Sequence, residues 1–302
     1  MPDIDKMMLK IQTPPEFNYT ECLRFLDRSS RECLHQIEDG IVYKLLIVEG
    51  EFTLLRISWG GSSTIFTEIL TGNPTDDGIQ MIKQFVNDLF DLDRNLNPFY
   101  EMAATDPILD QVVKNHYGLR LIGIPDLWEA LCWSIIGQQI NLAFAYTMKK
   151  RLVETYGNSI EFEGRRHWHF PSPDRIASVT PEALKSLQFS RQKAEYSIGI
   201  ANEICSGNIS LEQLVRAESI EAQRDLLTKI RGVGAWTADY VIMKCLRQPA
   251  AFPIADVGLH NAIKNRLGLS EKPSLGEIRK MAENWKGWEA YATFYLWRSL
   301  YE

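Results

Sequence analysis

Leu226-Leu227-Thr228-Lys229-Ile230-Arg231-Gly232-Val233-Gly234-Ala235-Trp236-Thr237-Ala238-Asp239-Tyr240 is the stretch on which the reading of this 302-residue chain turns. Its apolar spacing predicts a helix ending at Ile230, a three-residue turn, and a second helix starting at once. Gly232 and Gly234 allow backbone angles closed to other residues and leave no Cβ to block a close approach. The first amides of the second helix are unpaired donors, and its dipole adds to them. Gly232, Val233, Gly234 and Ala235 therefore form either an anion nest suited to one backbone phosphate or only a tight turn between packed helices. Further on comes Phe252-Pro253-Ile254-Ala255-Asp256-Val257-Gly258-Leu259-His260-Asn261-Ala262-Ile263, with Asp256 twenty-two residues past Gly234. Asp256 follows a loop and precedes an amphipathic run, so it is placed as a helix N-cap, a role worth about 1 kcal/mol by itself.

Outward from this pair the chain reads as two parts. Residues 98–302 are helical almost throughout. Asp126 is placed to cap a helix through Leu127, Leu131, Ile135 and Ile136, and Gly137-Gln138-Gln139-Ile140-Asn141 interrupts it. Asn141 caps the next helix, and Gly157 stops it. Thr180-Pro181 opens another with the cap-then-proline order, and helices near 190–206, 210–217 and 219–229 follow. Residues 158–172 read as a loop or short strands. Residues 1–97 read as α+β: Ile41–Val48 and Phe52–Trp59 are β-branched and aromatic runs parted by Glu49-Gly50-Glu51, which suits a hairpin. Ser63–Leu70 is a third candidate strand, and a helix is expected from about Thr75 to Phe90. Asn95-Leu96-Asn97-Pro98 is the candidate boundary. The expected class is thus mostly α with an α+β N-terminal domain.

Composition narrows the functional classes. An apolar fraction of 45% with 24% charged residues is that of an ordinary globular protein. No run of about 18 apolar residues suggests a membrane span. Met1–Lys6 lacks the basic and apolar regions of a secretion signal, so a cytoplasmic, nucleoid-associated protein is expected. Five scattered cysteines without a Cys-x-x-Cys pair argue against a disulfide framework and against a zinc or iron–sulfur site. His167-Trp168-His169 has no third ligand nearby in sequence. The net charge of −6 opposes binding to a polyanion, but it is unevenly spread. Residues 1–100 hold 9 Lys+Arg against 16 Asp+Glu, and residues 101–302 hold 24 against 23. A near-neutral helical part must grip phosphate through backbone geometry, which is what an amide nest offers.

With these residues in view, Ile230–Tyr240 followed by Phe252–Ile263 resembles the helix-hairpin-helix, Gly/Pro-rich loop and aspartate of the HhH-GPD DNA glycosylases. Ile124–Gly157 and Ser190–Ala201 also match, so the resemblance covers roughly residues 105–302. Within the family the chain looks most like the AlkA-type 3-methyladenine DNA glycosylase II branch, whose N-terminal domain is also α+β. The resemblance implies base excision repair on double-stranded DNA containing damaged bases, by a monomer that flips the base and hydrolyses its N-glycosidic bond with Asp256 as the catalytic residue. Members that nick the strand carry a lysine two residues after the second hairpin glycine. That position is Trp236 here, which implies a monofunctional hydrolase. The usual proline before the first hairpin glycine is Arg231, either a further phosphate contact or a solvated side chain.

The chemistry fits a single carboxylate. Breaking the bond builds positive charge on the sugar, which a nearby carboxylate stabilises while orienting water. A general acid is dispensable when the leaving base is already cationic, as N-alkylated purines are. Electron-rich rings would hold such a base. The resemblance favours Trp236, Tyr240 and Trp297 as pocket walls and leaves Trp285 and Trp288 to the core. A flipped base leaves a gap in the duplex. Gln139, with Gln138 second, matches the inserting loop, the alternative being a polar inter-helix loop. No cofactor is required; the family's hairpin ion implies a monovalent cation on the backbone carbonyls of Thr228, Ile230 and Val233. Two rivals stay open: a non-catalytic hairpin protein that only binds DNA, and an 8-oxoguanine-type glycosylase. The sequence does not rank 3-methyladenine, 7-methylguanine, hypoxanthine and etheno lesions.

Overall fold

The computed structural model describes residues 7–301 and shows an antiparallel sheet leaning on a helical body. Strands β1 (Met8–Gln12), β2 (His35–Glu38), β3 (Ile41–Val48), β4 (Glu51–Trp59) and β5 (Thr64–Ile69) form the sheet in the order β1-β5-β4-β3-β2. The β3–β4 hairpin has Val48 paired with Glu51, and both intervening residues take positive φ, Glu49 at 52° and Gly50 at 84°. That is the primed two-residue turn whose twist matches the strands. Helix α1 (Tyr19–Leu26), capped by Asn18, and α2 (Asp76–Phe90), capped by Thr75, accompany the sheet. The sequence reading found β3, β4, β5 and α2 and missed β1, β2 and α1. Two of the missed elements are the edge strands: β1 pairs with the distant β5, Met8 opposite Glu68, while β2 is a four-residue strand joined to β3 by the tight turn Asp39-Gly40.

Pro98 lies in the first turn of α3 (Asn97–Ala103), where its missing N–H is harmless, and α4 (Asp110–Asn115) follows. Helix α5 (Leu127–Gly137) is buried on nearly all sides, and α6 (Leu142–Tyr156) starts after the Gly137–Asn141 break. Asp126 and Asn141 cap them through the amides of Glu129 and Phe144. Residues 158–172 contain a second hairpin, β6 (Asn158–Phe162) and β7 (Arg165–His169), turned at Glu163-Gly164 with φ of 48° and 75°. Its His167-Trp168-His169 run serves packing: His167 lies against Tyr43 of β3, and the His169 ring against Phe52.

The remaining helices are α7 (Pro173–Ala177), α8 (Pro181–Ser186), α9 (Arg191–Cys205), α10 (Leu211–Arg216), α11 (Ile220–Thr228), α12 (Ala235–Lys244), α13 (Val257–Leu267), α14 (Leu275–Met281) and α15 (Glu289–Arg298). Helix α15 runs through the middle, with Ala290–Leu296 all buried. Tyr291 and Tyr295 place their hydroxyls on Asp91 (2.7 Å) and the Leu119 carbonyl (2.9 Å). No helix of the described residues is long and apolar enough to cross a membrane.

Buried charges join the sheet-bearing part to the helices. Glu32, in the loop before β2, caps the amides of Cys33 and Leu34 and pairs with Lys149 of α6 at 2.5 Å. Burial alone would raise the Glu32 carboxyl, but the Lys149 charge and these hydrogen bonds hold it well below the usual range. Arg120 is fully buried and is satisfied by the carbonyls of Asp91, Leu92 and Arg94 and by Glu16.

Candidate active site

The hairpin differs from the sequence reading in extent. Helix α11 ends at Thr228 rather than Ile230, so the turn runs over residues 229–234. Val233 donates its amide to the Ile230 carbonyl at 3.0 Å. The two glycines are not equivalent. Gly232 has φ +94°, and a Cβ there would stand 2.4 Å from the Tyr196 ring of α9, so both conformation and space demand glycine. Gly234 has φ −90° and ψ 179°, which any residue adopts, and nothing lies within 4 Å of where its Cβ would be. The expectation that both glycines need forbidden angles is corrected for Gly234. What Gly234 provides is open space over the amides at the start of α12, where no side chain caps.

Three further contacts fix the hairpin. Arg224 of α11 pairs with the buried Asp239 of α12 at 2.7 Å. Gln138 donates to the Gly232 carbonyl (3.1 Å) and to Thr237 Oγ1 (3.0 Å), tying the α5–α6 loop to the turn. Its neighbour Gln139 is exposed with φ +55°, at the tip of that loop. The two glutamines therefore divide: Gln138 supports the hairpin and Gln139 projects. Arg231 is largely exposed, lies over Tyr196 and reaches Glu195 only at 3.6 Å.

Asp256 caps α13 as expected, and its carboxylate is also the meeting point of the predicted pocket residues. Oδ1 accepts the Leu259 amide (2.9 Å) and the Trp297 indole N–H (2.8 Å); Oδ2 accepts the Trp236 indole N–H at 3.3 Å. Tyr240 lies between the two indoles, its ring centroid 5.7 Å from that of Trp236 and 6.1 Å from that of Trp297. Burial raises the Tyr240 hydroxyl well above the usual phenol range, so it stays a neutral donor. Elements far apart in sequence, α12, the start of α13 and the end of α15, thus converge on one half-exposed carboxylate. All its protein donors are neutral. Oδ1 is the loaded oxygen; Oδ2, with one long contact, has lone pairs left for water or an electron-poor carbon.

Residues that the sequence reading did not single out complete the site. Gly258 is one: a Cβ there would stand 2.9 Å from Asp256 Oδ1 and 3.1 Å from the Trp297 ring, breaking their approach. Trp133 of α5 and Tyr146 of α6 pack at 4.9 Å, and the Trp133 side chain reaches the Tyr240 hydroxyl. Arg28, just past α1, puts its guanidinium over Phe25 (4.0 Å) and Tyr146 (5.6 Å). Behind these residues a cavity of about 310 Å³ lies between the sheet and α5–α6, with Phe25, Arg28, Trp133 and Tyr146 in its wall. Of these only Gly258 had a nearby signal, its place two residues after the aspartate.

Comparison with known proteins places this geometry. Residues 132–288 match the HhH-GPD superfamily base excision DNA repair proteins, and residues 16–131 match the N-terminal domain of 8-oxoguanine DNA glycosylase. The chain is 44% identical over 296 residues to a DNA-3-methyladenine glycosylase of Bacillus subtilis, covering 97% of each. It is 32% identical to DNA-3-methyladenine glycosylase 2 of Escherichia coli over 60% of each chain. Among solved structures, a 3-methyladenine DNA glycosylase from Archaeoglobus fulgidus superposes with a TM-score of 0.83 at 23% identity, over 96% of this chain and 97% of that one.

Proposed function

This chain belongs to the HhH-GPD superfamily of base excision DNA repair proteins, and from that premise we propose that it releases alkylated purines of the 3-methyladenine class from double-stranded DNA by hydrolysis, without cutting the strand. It is a DNA glycosylase of base excision repair. The observation that carries the proposed mechanism is the carboxylate of Asp256 held between two indole N–H groups and a helix-start amide. Those donors fix its orientation. As the N-glycosidic bond breaks, the electron pair leaves with the base and positive charge builds on the sugar. The carboxylate faces that charge, and Oδ2 holds the attacking water. A purine that is already cationic departs neutral, so the single carboxylate suffices. The rings of Trp236, Tyr240 and Trp297 supply the electron-rich walls such a base favours.

In the turn Gly232, Val233, Gly234 and Ala235, the amides of Gly232, Gly234 and Ala235 grip one phosphate while the Val233 amide closes the turn on the Ile230 carbonyl, and Gln139 fills the gap left by the flipped base. The carbonyls of Thr228, Ile230 and Val233 are oxygen donors of the hard type that would hold a monovalent cation, whose charge would back the phosphate grip. Ile230 already accepts the Val233 amide and would offer its second lone pair. The protein works as a cytoplasmic monomer on nucleoid DNA.

A second reading, an 8-oxoguanine-type glycosylase, draws on the N-terminal match. Against it stands Trp236 in the place of the strand-nicking lysine, with its indole committed to Asp256. The experiment is incubation with methylated duplex DNA and with 8-oxoguanine duplex. Release of free 3-methyladenine, leaving an abasic strand intact until alkali is added, supports the proposal. Strand cleavage without alkali, or release of 8-oxoguanine alone, overturns it.

A further inference from the structure

Arg28 is, among the described residues, a cation without a carboxylate partner. It is half-buried, beside the aromatic recess, and its one hydrogen bond is from Nη1 to the Phe25 carbonyl at 2.7 Å. Among the described residues no carboxylate pairs with it. Buried or half-buried arginines elsewhere are closed: Arg120 by carbonyls and Glu16, Arg298 by Glu21, Arg224 by Asp239. Its remaining guanidinium donors are therefore spare. Its position is also specific. It lies over Tyr146, which packs on Trp133, which in turn adjoins the Tyr240 hydroxyl between the two Asp256-bound indoles. The Arg28 and Asp256 charges act in opposite directions on the phenols of Tyr240 and Tyr301. A run of packed rings thus links the guanidinium to the carboxylate.

We propose that Arg28 is a specificity-determining residue that donates from its guanidinium to the carbonyl oxygen of a 6-oxopurine such as hypoxanthine in the recess. A guanidinium repels a cationic purine and gains nothing as that base departs neutral. Hypoxanthine is neutral in DNA. When its C1′–N9 bond breaks, the electron pair stays on the purine and negative charge spreads onto the exocyclic oxygen. The water oxygen bonds to C1′, and the proton released by water ends on the purine. A fixed guanidinium at that oxygen stabilises the departing charge. Arg28 thus widens the activity from cationic bases to neutral 6-oxopurines, a role resting on the glycosylase reading above.

The test is single-turnover release from hypoxanthine duplex and of 3-methyladenine from methylated duplex, for wild type, Arg28→Gln and Arg28→Lys. Binding to an abasic-analogue duplex is followed as salt is raised. The expected result is that Arg28→Gln lowers the hypoxanthine to 3-methyladenine rate ratio about tenfold or more, while abasic-duplex affinity and its salt slope hold. Arg28→Lys, which keeps the charge but loses the fork, falls between, and it carries the test if the Gln variant does not fold. Equal loss on both lesions with weaker, less salt-sensitive binding would make Arg28 a phosphate contact and overturn the proposal, as would an unchanged ratio. Wild type that releases 3-methyladenine but no hypoxanthine sinks this inference alone; release of neither sinks the glycosylase reading with it.

Discussion

The seam between sheet and helices and the recess around Asp256 treat charge in opposite ways. At the seam, Glu32 meets Lys149, and Glu21 meets Arg298 and His116, four of the side chains buried and Glu32 nearly so. Each charge there is answered by an opposite charge. At the recess, Asp256 is held by two indoles and an amide, none of them charged, and among the described residues no carboxylate pairs with Arg28. A buried charge without its counter-charge is costly in a finished fold. Where a half-exposed acid and a half-exposed base both go unanswered, the missing partner is the ligand: a developing sugar cation for one, an electron-rich base for the other.

That contrast can be broken at either end. The largest stability change is expected at the seam. Glu32→Ala leaves Lys149 buried and unpaired, at about 3–5 kcal/mol in urea unfolding, with base release per folded molecule unchanged. The same pair sets an acid limit. The Glu32 carboxyl titrates lower in the fold than in the unfolded chain, so its contribution is complete above the ordinary glutamate value near ~4.3 and fades as pH falls below it. Stability measured from pH 7 to pH 3 should fall less steeply in Glu32→Gln than in wild type.

At the recess, Trp297→Phe removes the 2.8 Å donor to Oδ1, a charged hydrogen bond worth about 1.5–3 kcal/mol. Base release should drop roughly tenfold or more, and Trp236→Phe, which removes only the 3.3 Å donor, should do less. An equal effect of the two would contradict the assignment of Oδ1 as the anchored oxygen. Among the hairpin glycines, Gly232→Ala forces the Tyr196 ring to move and a residue into positive φ, at about 1–3 kcal/mol of stability. Gly234→Ala should leave stability within about 0.5 kcal/mol yet weaken duplex binding, because its methyl would fill the space left for phosphate. The smallest stability effect belongs to the loop tip. Gln139→Ala should barely move the melting temperature while Gln138→Ala loses about 1 kcal/mol with its bonds to Gly232 and Thr237.

The same division explains what could be read from sequence. Helix starts at Asp126, Asn141, Thr180, Ser190 and Asp256 were legible because capping is chemistry between residues three apart. The β3–β4 hairpin was legible because its turn lies between its strands. Edge strand β1 was not, since its short pattern takes its meaning from the distant β5, and β2 was not because the four residues His35–Glu38 hold a single β-branched side chain, although its partner β3 follows directly across Asp39-Gly40. The carboxylate and its rings could be named from spacing and family resemblance together. Arg28 could not: nothing beside it in sequence distinguishes it from Arg24 or Arg31, and only the tertiary fold brings it over Tyr146 of α6.

The most direct test is the pair Asp256→Asn and wild type, read for base release and for stability together. Asparagine caps a helix as well as aspartate and can still accept from an indole, but it carries no charge for the sugar cation. The account predicts single-turnover release of 3-methyladenine reduced on the order of 10²–10⁴-fold, with thermal stability within about 1 kcal/mol and abasic-duplex binding retained. Release at the wild-type rate, or a loss fully explained by unfolding, would contradict it.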